Sequence, residues 1–412
     1  MLNGTDQRQR PNYVSFSHYL PYPGIGHAGG EYVARHVEQL QKYCDVSLIV
    51  SSDGAPNTDL QPCAGTTVAA AHIVQRPWWG RTIPFRALRR ALRMINPMSL
   101  GPDVVRAIHR SSEVRRVVRT ADVVEFQYTE QSVFIPFVKN LAPEAFTVVI
   151  VHDVVSQRIS RQVSSAARML RPLLLFKLAR VRNFERRLAA ADLVKVFSEK
   201  DADLVRQLGI APERVETISL PLADQDAVRA ERSPVPGRIL FVGAWSRPEN
   251  AEAATWIIRE VFPSIREARS DAHLVFAGAN PSEAMIQLAA QIDGVTVTGF
   301  VESLAPCYQS ASCVVVPLRQ GAGVKFKTVT ALLWGIPLVT TSVGAEGVSG
   351  ASSFGVVADS AAEFATGVAL ALNGGLEELA SEGRAWALRT FGDEIYDQEI
   401  RRLAALRRRQ SG

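Results

Sequence analysis

Residues 314–348, VVVPLRQGAGVKFKTVTALLWGIPLVTTSVGAEGV, form the most informative segment of this 412-residue chain. Its run of valines predicts a strand that is buried on both faces. A short loop with two glycines follows, and the apolar spacing predicts a helix that starts near Val324 and stops before Gly335. Such a loop brings a ligand to the free N–H groups and positive dipole end of the helix. A diphosphate fits this arrangement. The alternative is a plain strand-turn-helix with solvated lysines.

Short apolar runs of about five residues alternate with amphipathic stretches along the whole chain. The runs are rich in Val, Ile and Leu, which is typical of strands inside a parallel sheet. They occupy residues 13–16, 46–50, 123–128, 146–151, 193–197, 238–242, 273–277, 295–298, 313–316 and 337–340. This alternation predicts an α/β fold built from doubly wound, Rossmann-like parallel sheets.

Residues 219–238, SLPLADQDAVRAERSPVPGR, are rich in proline and charge and read as a linker. We therefore predict one domain over 1–220 and a second over 236–385. A last helix over 386–412 is expected to pack back on the first domain. Open α/β sheets bind ligands beyond the carboxyl ends of their strands, so we expect the two domains to face each other across a cleft.

Composition limits the class of protein. Hydrophobic residues make up 47% of the chain and charged residues 21%, as in ordinary globular proteins. No apolar run is long enough to cross a bilayer, and the first residues, MLNGTDQRQRPN, lack the apolar core of an export signal. The four cysteines form no C-x-x-C pair and are expected to be free thiols. We therefore expect a cytoplasmic protein without a metal site.

Positive charge is concentrated in the first half of the chain. Residues 1–235 carry a net charge of +8 and the remainder −3. Two basic stretches, 75–97 and 158–187, interleave arginines with aromatic or leucine residues, which favours peripheral contact with a lipid surface. The alternative is a solvated helix face with its aromatic residues packed inward. No nucleic-acid-binding motif is present, and no nucleic-acid partner is expected.

The stretch from Val316 to Gly347 resembles the donor-binding motif of glycosyltransferase family 4. That pattern is a strand, P-L-R, G-x-G, basic positions, G-x-P and often S-V-G-A-E-G. Three further segments match the family in order: RILFVGAWSRPENAEAATWI, AHLVFAGANPSE and VTVTGFVESLAPCYQSASCVVVPL. The first half matches in only two patches, LPYPGIGHAGGE and VVIVHD.

The resemblance implies a GT-B fold with a nucleotide-sugar donor on the C-terminal domain and a glycan or lipid-linked acceptor on the N-terminal domain. It also implies transfer with retention of anomeric configuration, without a metal or other cofactor. His152 matches the family histidine that contacts the donor sugar, although a histidine at a strand end can also cap a turn. The donor-binding positions carried over are Gly29, Gly30, Gly243, Trp245, Arg247, Asn250, Asn280, Phe300, Val301, Gly321, Ala322, Gly323, Val324, Lys325 and Thr330.

The chain departs from the family pattern at charged positions. Two glutamates that the family commonly carries are replaced by Ala322 and Thr330, and an Arg and a Lys are replaced by Ala244 and Asn250. We expect the Thr330 hydroxyl to take over the ribose contact.

The charge missing from positions 244 and 250 also needs a source, and Arg247, Lys325 and Lys327 are the candidates. With the helix starting at Val324, we expect Lys325 to bind the diphosphate and Lys327 to point elsewhere.

The predicted function is sugar transfer in the assembly of a cell-surface polysaccharide. A GT-B partner subunit with impaired catalysis is the alternative. A non-hydrolysing sugar-nucleotide epimerase would share the two-domain plan, but none of the residue patterns associated with that family is present.

Overall fold

The computed structural model describes residues 10–18, 20, 28–51, 70–74, 82, 84, 88, 100–220 and 231–407. The chain forms two compact units. The first contains Met1–Ile218 together with Tyr396–Gly412, and the second contains Ser219–Ile395. Each unit has its own parallel sheet flanked by helices, so the prediction of a doubly wound α/β architecture is confirmed.

The first unit is built on a seven-stranded parallel sheet in the order β3-β2-β1-β4-β5-β6-β7. Its strands are β1 (Asn12–Ser17), β2 (Asp45–Ser51), β3 (Ala70–Val74), β4 (Val123–Gln127), β5 (Phe146–Val151), β6 (Leu193–Val196) and β7 (Val215–Thr217). The strand order reverses between β1 and β4, where Val14 lies opposite Val124 in the core. Ligand-binding loops of doubly wound sheets lie at such a reversal.

Helices cover this sheet through apolar faces that repeat at helical spacing. They are α1 (Ala28–Leu40), α2 (Pro102–Arg110), α3 (Ser112–Arg119), α4 (Ile135–Leu141), α5 (Val155–Ser165), α6 (Arg171–Glu185) and α7 (Glu199–Gln207). The start of α7 illustrates how the sequence sets a helix end. The Ser198 hydroxyl accepts a hydrogen bond from the Asp201 N–H at 3.2 Å, which satisfies one of the free donors of the first turn.

The second unit has a six-stranded parallel sheet in the order β10-β9-β8-β11-β12-β13. Its strands are β8 (Arg238–Val242), β9 (His273–Ala277), β10 (Val295–Gly299), β11 (Cys313–Val316), β12 (Leu338–Thr340) and β13 (Val356–Val357). The reversal of strand order falls between β8 and β11. The loops that follow these two strands therefore meet at one edge of the sheet.

The helices of the second unit follow the same alternation. They are α8 (Pro248–Trp256), α9 (Phe262–Ala268), α10 (Glu283–Ala290), α11 (Ala305–Ser310), α12 (Phe326–Leu333), α13 (Ala361–Leu372) and α14 (Glu377–Phe391). A π-helical turn, Ile257–Val261, joins α8 to α9. None of the helices in the described ranges combines the length and the apolar character needed to cross a bilayer.

The second unit ends at Ile395, ten residues or so beyond the predicted limit of 385. The reason is that α14 continues unbroken to Phe391 and packs along α12, so the whole helix belongs to this unit. The described end of the linker is also attached here, because the Val235 N–H donates to the Ser310 carbonyl at 2.9 Å.

The last helix, α15 (Asp393–Ala404), carries the chain into the first unit. The hydroxyl of Tyr396 lies 2.5 Å from His36 Nδ1 on α1. Glu399 accepts from the buried Lys195 ammonium at 3.0 Å. Buried polar contacts of this kind fix the position of the helix, in addition to the effect of apolar burial.

Candidate functional site

The loops that follow β8, β9 and β10 are held together by backbone hydrogen bonds. The Gly243 N–H donates to Ala277 O at 2.9 Å, and the Gly278 N–H donates to Gly299 O at 3.1 Å. Gly278 has a φ of +137°, and a Cβ at this position would lie 2.0 Å from the Gly243 carbonyl oxygen. Only glycine permits so close an approach, so these contacts depend on residue 278 having no side chain.

Two buried side chains, those of Asn250 and Trp245, stabilise the loop between β8 and α8. The Asn250 amide donates to Ala244 O at 2.8 Å and is almost fully buried. Trp245 is 2% exposed and packs edge-on against Phe241 and Phe276. Its indole N–H has no hydrogen-bond partner among the described residues, which is costly for a buried donor.

The glycine loop between β11 and α12 depends on positive φ angles, +128° at Gly321 and +73° at Gly323. Helix α12 begins at Phe326 rather than near Val324, so Lys325 precedes the helix with an extended backbone. The Lys325 ammonium donates to the carbonyls of Ala322 and Gly323, at 2.9 and 2.7 Å. It also lies 3.4 Å from a carboxylate oxygen of Glu346.

These three contacts match the three donors of an ammonium group. Both Lys325 and Glu346 are only 8% exposed at the side chain. The Lys325 charge therefore holds the loop in shape, and its contact with a diphosphate stays a prediction.

The segment after β12 closes around the start of α12. The Lys325 N–H donates to Glu346 O at 3.2 Å, and the Thr328 hydroxyl donates to Gly344 O at 2.6 Å. A Cβ at Gly347 would lie 2.4 Å from a methyl carbon of Val324. The S-V-G-A-E-G sequence thus contacts the end of the glycine loop and the start of α12 and stabilises both.

Lys327 lies in the first turn of α12, and its side chain reaches α8. Its ammonium donates to Asn250 Oδ1 at 2.8 Å and lies 5.0 Å from the centroid of the Phe241 ring. Burial and the nearby positive charge of Arg247 lower the pKa of Lys327 to about 7, with Lys325 adding to the effect and Glu249 opposing it. Lys327 points toward Asn250 at the start of α8, and its relation to the donor diphosphate stays a prediction. It links α12 to the loop after β8.

Thr330 lies three residues beyond Lys327 on α12 and therefore on the same helix face. It is partly exposed, as a ligand-binding side chain must be. Arg247 precedes α8 with a side chain that is 58% exposed, 3.9 Å from Glu249. The face of α12 and the start of α8 together present two cations and a hydroxyl.

The other predicted donor residues follow the neighbouring strands. Asn280 comes after β9 and has a left-handed backbone with a φ of +59°. Phe300 and Val301 directly follow β10, and the Phe300 side chain is 70% exposed. All three therefore lie beyond the carboxyl ends of the sheet that also carries Gly243 and Gly321.

In the first unit, the described part of the predicted site begins with Gly29 and Gly30 in the first turn of α1. A Cβ at Gly29 would lie 2.4 Å from the Tyr128 hydroxyl. Tyr128 follows β4 with a φ of +75° and stacks on the His152 ring at a centroid distance of 3.8 Å. The rest of the predicted loop, 21–27, lies outside the described residues.

A chain of hydrogen bonds fixes the orientation of His152. Glu125 is fully buried; burial alone would raise its pKa, but the ion pair with His36 and hydrogen bonds from Tyr13 and Ser15 bring the pKa below its usual value. The resulting carboxylate accepts from the Gln127 amide nitrogen at 2.7 Å. The Gln127 oxygen therefore faces His152 Nε2, 2.9 Å away, which must donate.

His152 is accordingly held as the Nε2–H tautomer, with Nδ1 left as an acceptor. Burial, together with the positive charges of His36 and His18, lowers the pKa of His152 well below its usual range. The imidazole is therefore neutral at physiological pH. This favours contact with a hydroxyl over proton abstraction from it.

Sequence reasoning did not name Tyr128, Gln127 or Glu125 as site residues, and it named Lys327 as a candidate cation without predicting its contact with Asn250. The polar positions of β4 carried a signal, because Glu125 and Gln127 stand in a strand that is otherwise apolar and buried. A buried strand does not carry a carboxylate and an amide without partners, and those partners are the neighbouring polar side chains. Tyr128 and Lys327 carried no comparable signal.

Comparison with known proteins agrees with this architecture. Residues 236–373 match the family model described as glycosyl transferases group 1. The match falls within the second unit. The matched range contains the glycine loop, Lys327 and the loops after β8, β9 and β10.

Solved structures extend the likeness over both units. Sucrose-phosphate synthase from Thermosynechococcus elongatus superposes over 96% of this chain and 98% of its own, with 15% identity and a TM-score of 0.68. HepE from Anabaena, solved in complex with UDP and glucose, covers 96% of this chain and all of its own, with 14% identity and a TM-score of 0.62. The predicted GT-B fold is thereby confirmed.

A curated relative is an uncharacterized 44.6 kDa protein in the cps region of Klebsiella pneumoniae, 29% identical over 116 residues. The match covers 26% of this chain and 30% of that relative, so the chain spans about a third of the length of the curated relative it matches.

Proposed function

We propose that the protein transfers a sugar from a nucleotide-diphosphate donor to a glycan or lipid-linked acceptor, with retention of anomeric configuration, in cell-surface polysaccharide assembly. The observation that carries the proposal is the contact between Lys327 and Asn250. It places an ammonium group between the glycine loop and the loop after β8 in a group 1 glycosyltransferase domain. Capsule-region placement of the Klebsiella relative supports the polysaccharide context.

The donor diphosphate would lie at the start of α12. The first N–H groups of this helix have no intrahelical acceptor, and the helix dipole adds positive potential. Arg247 and the charged form of Lys327 would supply positive charge from α8 and α12, in place of the Arg and Lys that the family carries at 244 and 250. HepE binds UDP within the same fold, which supports a uridine nucleotide as the first donor to test.

The ribose would lie one turn further along α12, against Thr330. A hydroxyl can donate to or accept from a ribose oxygen, but it forms a weaker contact than the carboxylate usual in the family. We therefore expect modest donor affinity, with most of the binding energy coming from the diphosphate.

His152 would contact a hydroxyl of the donor sugar through its free Nδ1. Because the lowered pKa makes the imidazole a weak base, the leaving diphosphate itself would accept the proton of the acceptor hydroxyl. Rate enhancement would come from positioning and from stabilising negative charge on the departing diphosphate, without a metal.

The second candidate is a GT-B partner subunit that binds nucleotide or glycan but turns over slowly or not at all. It is favoured by the replacement of both family glutamates, by Ala322 and Thr330. Turnover separates the two: the enzyme releases nucleoside diphosphate in the presence of an acceptor extract, and the subunit binds nucleotide without release.

The first experiment is a binding screen across nucleotide sugars by isothermal titration calorimetry. Product analysis by ¹H NMR then gives the anomeric configuration. We expect binding of a nucleotide-diphosphate sugar at micromolar affinity, stronger than that of the nucleoside alone. Equal affinity for nucleoside and nucleotide sugar would contradict the diphosphate site, and an inverted product would contradict retention.

A further inference from the structure

Large apolar side chains are exposed together at the start of helix α6 in the first unit. Helix α6 and the turn before it expose an apolar tip, defined here as five residues with exposed fractions of 52–92%: Met169, Leu170, Leu173, Leu175 and Phe176. The described residues include eleven exposed large hydrophobic side chains, and five of them lie within these eight positions. Isolated exposed apolar residues are normal on a protein surface, but a cluster of this size marks an interaction site.

The buried side chains of α6 lie in its second half. Leu178, Val181 and Phe184 pack with residues of α5 in a small core of their own. Leu170, Leu173 and Phe176 recur at three-residue intervals toward the other end, so they share one face of the exposed first turns. The tip is therefore an extension of a stable helix pair.

Basic residues surround the tip. The basic collar comprises four residues within the same segment: Arg168, Arg171, Lys177 and Arg180. The three arginines are exposed, and the sequence has no acidic residue between Asp153 and Glu185. An apolar tip within a purely basic collar matches an anionic lipid surface, where leucine and phenylalanine enter the acyl boundary and arginines meet headgroup phosphates.

We propose that the apolar tip inserts into an anionic bilayer surface and that the basic collar docks on its headgroups. The collar decides against a second copy of this chain as occupant, because tip-to-tip pairing would bring two basic collars together without acidic partners. The inference deepens the proposed function by naming the surface where a lipid-linked acceptor would be met, and it rests on that function only for the acceptor.

The test is co-sedimentation of the full chain with vesicles. Phosphatidylcholine vesicles are compared with vesicles containing about 30% phosphatidylglycerol, at salt near 50 mM and near 500 mM. We expect binding to the anionic vesicles that weakens at high salt. The double variant Leu173→Gln and Phe176→Gln should lower the partition coefficient about tenfold.

Charge and surface apolarity are controlled separately. Replacing Arg168 and Arg171 by Gln should weaken binding to anionic vesicles and remove most of the salt dependence. The matched control replaces Ile286 and Leu370 by Gln, two apolar side chains of the second unit that are 42% and 46% exposed. This control should bind vesicles like the wild type.

Two results would overturn the proposal. One is a wild-type chain that stays in the supernatant with anionic vesicles at low salt, or a tip variant that binds as well as the wild type. The other is a lipid-free wild-type dimer, seen by sedimentation velocity, that the tip variant converts to monomer. Nucleotide-sugar binding is measured on the same samples. Its loss in every sample, including the wild type, would refute the proposed function and leave the vesicle result standing.

Discussion

Donor binding should depend on the protonation of Lys327. In the free protein the pKa of this ammonium is lowered to about 7 by burial and by Arg247. A bound diphosphate would raise it again, so binding should take up a proton at pH 7 and above. At a pKa near 7, about nine-tenths of the lysine is charged at pH 6 and about one-tenth at pH 8. Affinity should therefore fall about tenfold between these pH values.

The direction of the pH dependence follows from the pKa of Lys327 in the free protein and in the complex. A group whose pKa is higher in the complex contributes affinity that is fully present below its free pKa and is lost as pH rises toward the bound pKa. The ligand must be a nucleotide sugar, because its diphosphate is esterified at both ends and lacks the terminal phosphate that titrates near pH 6.

The assay is calorimetry in two buffers of different ionisation enthalpy, neither of them phosphate, at pH 6, 7 and 8. Wild type should take up about half a proton at pH 7 and nearly one at pH 8. Lys327→Arg keeps the charge without titrating and should bind without proton uptake. Lys327→Met should lose about 10- to 150-fold in affinity at pH 6, as expected for a charge-assisted contact of about 1.5–3 kcal/mol. Unchanged proton uptake in Lys327→Arg would refute the assignment.

Four further outcomes are expected. Lys325→Met removes the buried ammonium that lies 3.4 Å from the Glu346 carboxylate and should lower unfolding free energy by about 3–5 kcal/mol, seen as a lower melting temperature with the glycine loop opened to proteolysis; an unchanged melting temperature would place the lysine in solvent. Gly278→Ala should cost about 3 kcal/mol from backbone strain and the contact with the neighbouring loop, measured by urea unfolding against Gly209→Ala, whose Cβ meets nothing within 4 Å. Gln127→Met should shift His152 away from the Nε2–H tautomer in ¹⁵N NMR and weaken turnover about tenfold, whereas unchanged tautomer signals would contradict the relay. Thr330→Glu should tighten donor binding about tenfold, and weaker binding would mean that the pocket is shaped for a small residue.

The sequence predicted ten of the described strands and missed three that lie at sheet edges. The runs at 238–242 and 273–277 coincide with β8 and β9, because strands buried on both faces read as continuous apolar segments. Strands β3, β7 and β13 were missed. Each lies at the edge of its sheet and is five residues long or shorter, so burial leaves little signal in its composition. The first basic stretch, 75–97, lies outside the described residues except at three isolated positions.

The glycine loop shows where local pattern stops being informative. The motif located the loop, but the structure gives its two lysines contacts within the fold that local pattern did not predict. The cause is the helix start, since helix boundaries read from sequence are uncertain by two residues or more. Lys325 precedes the helix with φ −92° and ψ 96°, and its side chain folds back onto the loop carbonyls. Lys327 lies within the first turn, where the helix itself aims the side chain.

The replaced charges of the family pattern show the same dependence on where each side chain points. The loss of a lysine at Asn250 reads from sequence as the loss of a cation from the loop after β8. In the folded unit, Asn250 keeps an amide at that position, and its oxygen accepts from the Lys327 ammonium. The cation therefore reaches the same loop from α12 instead of from α8. The Lys327 amine is partly desolvated in that position, so its pKa is lowered. A permanent positive charge is thereby replaced by one that a bound anionic ligand would restore. We expect a site rebuilt in this way to prefer diphosphate and to show a dependence on pH that a solvated lysine or arginine would lack.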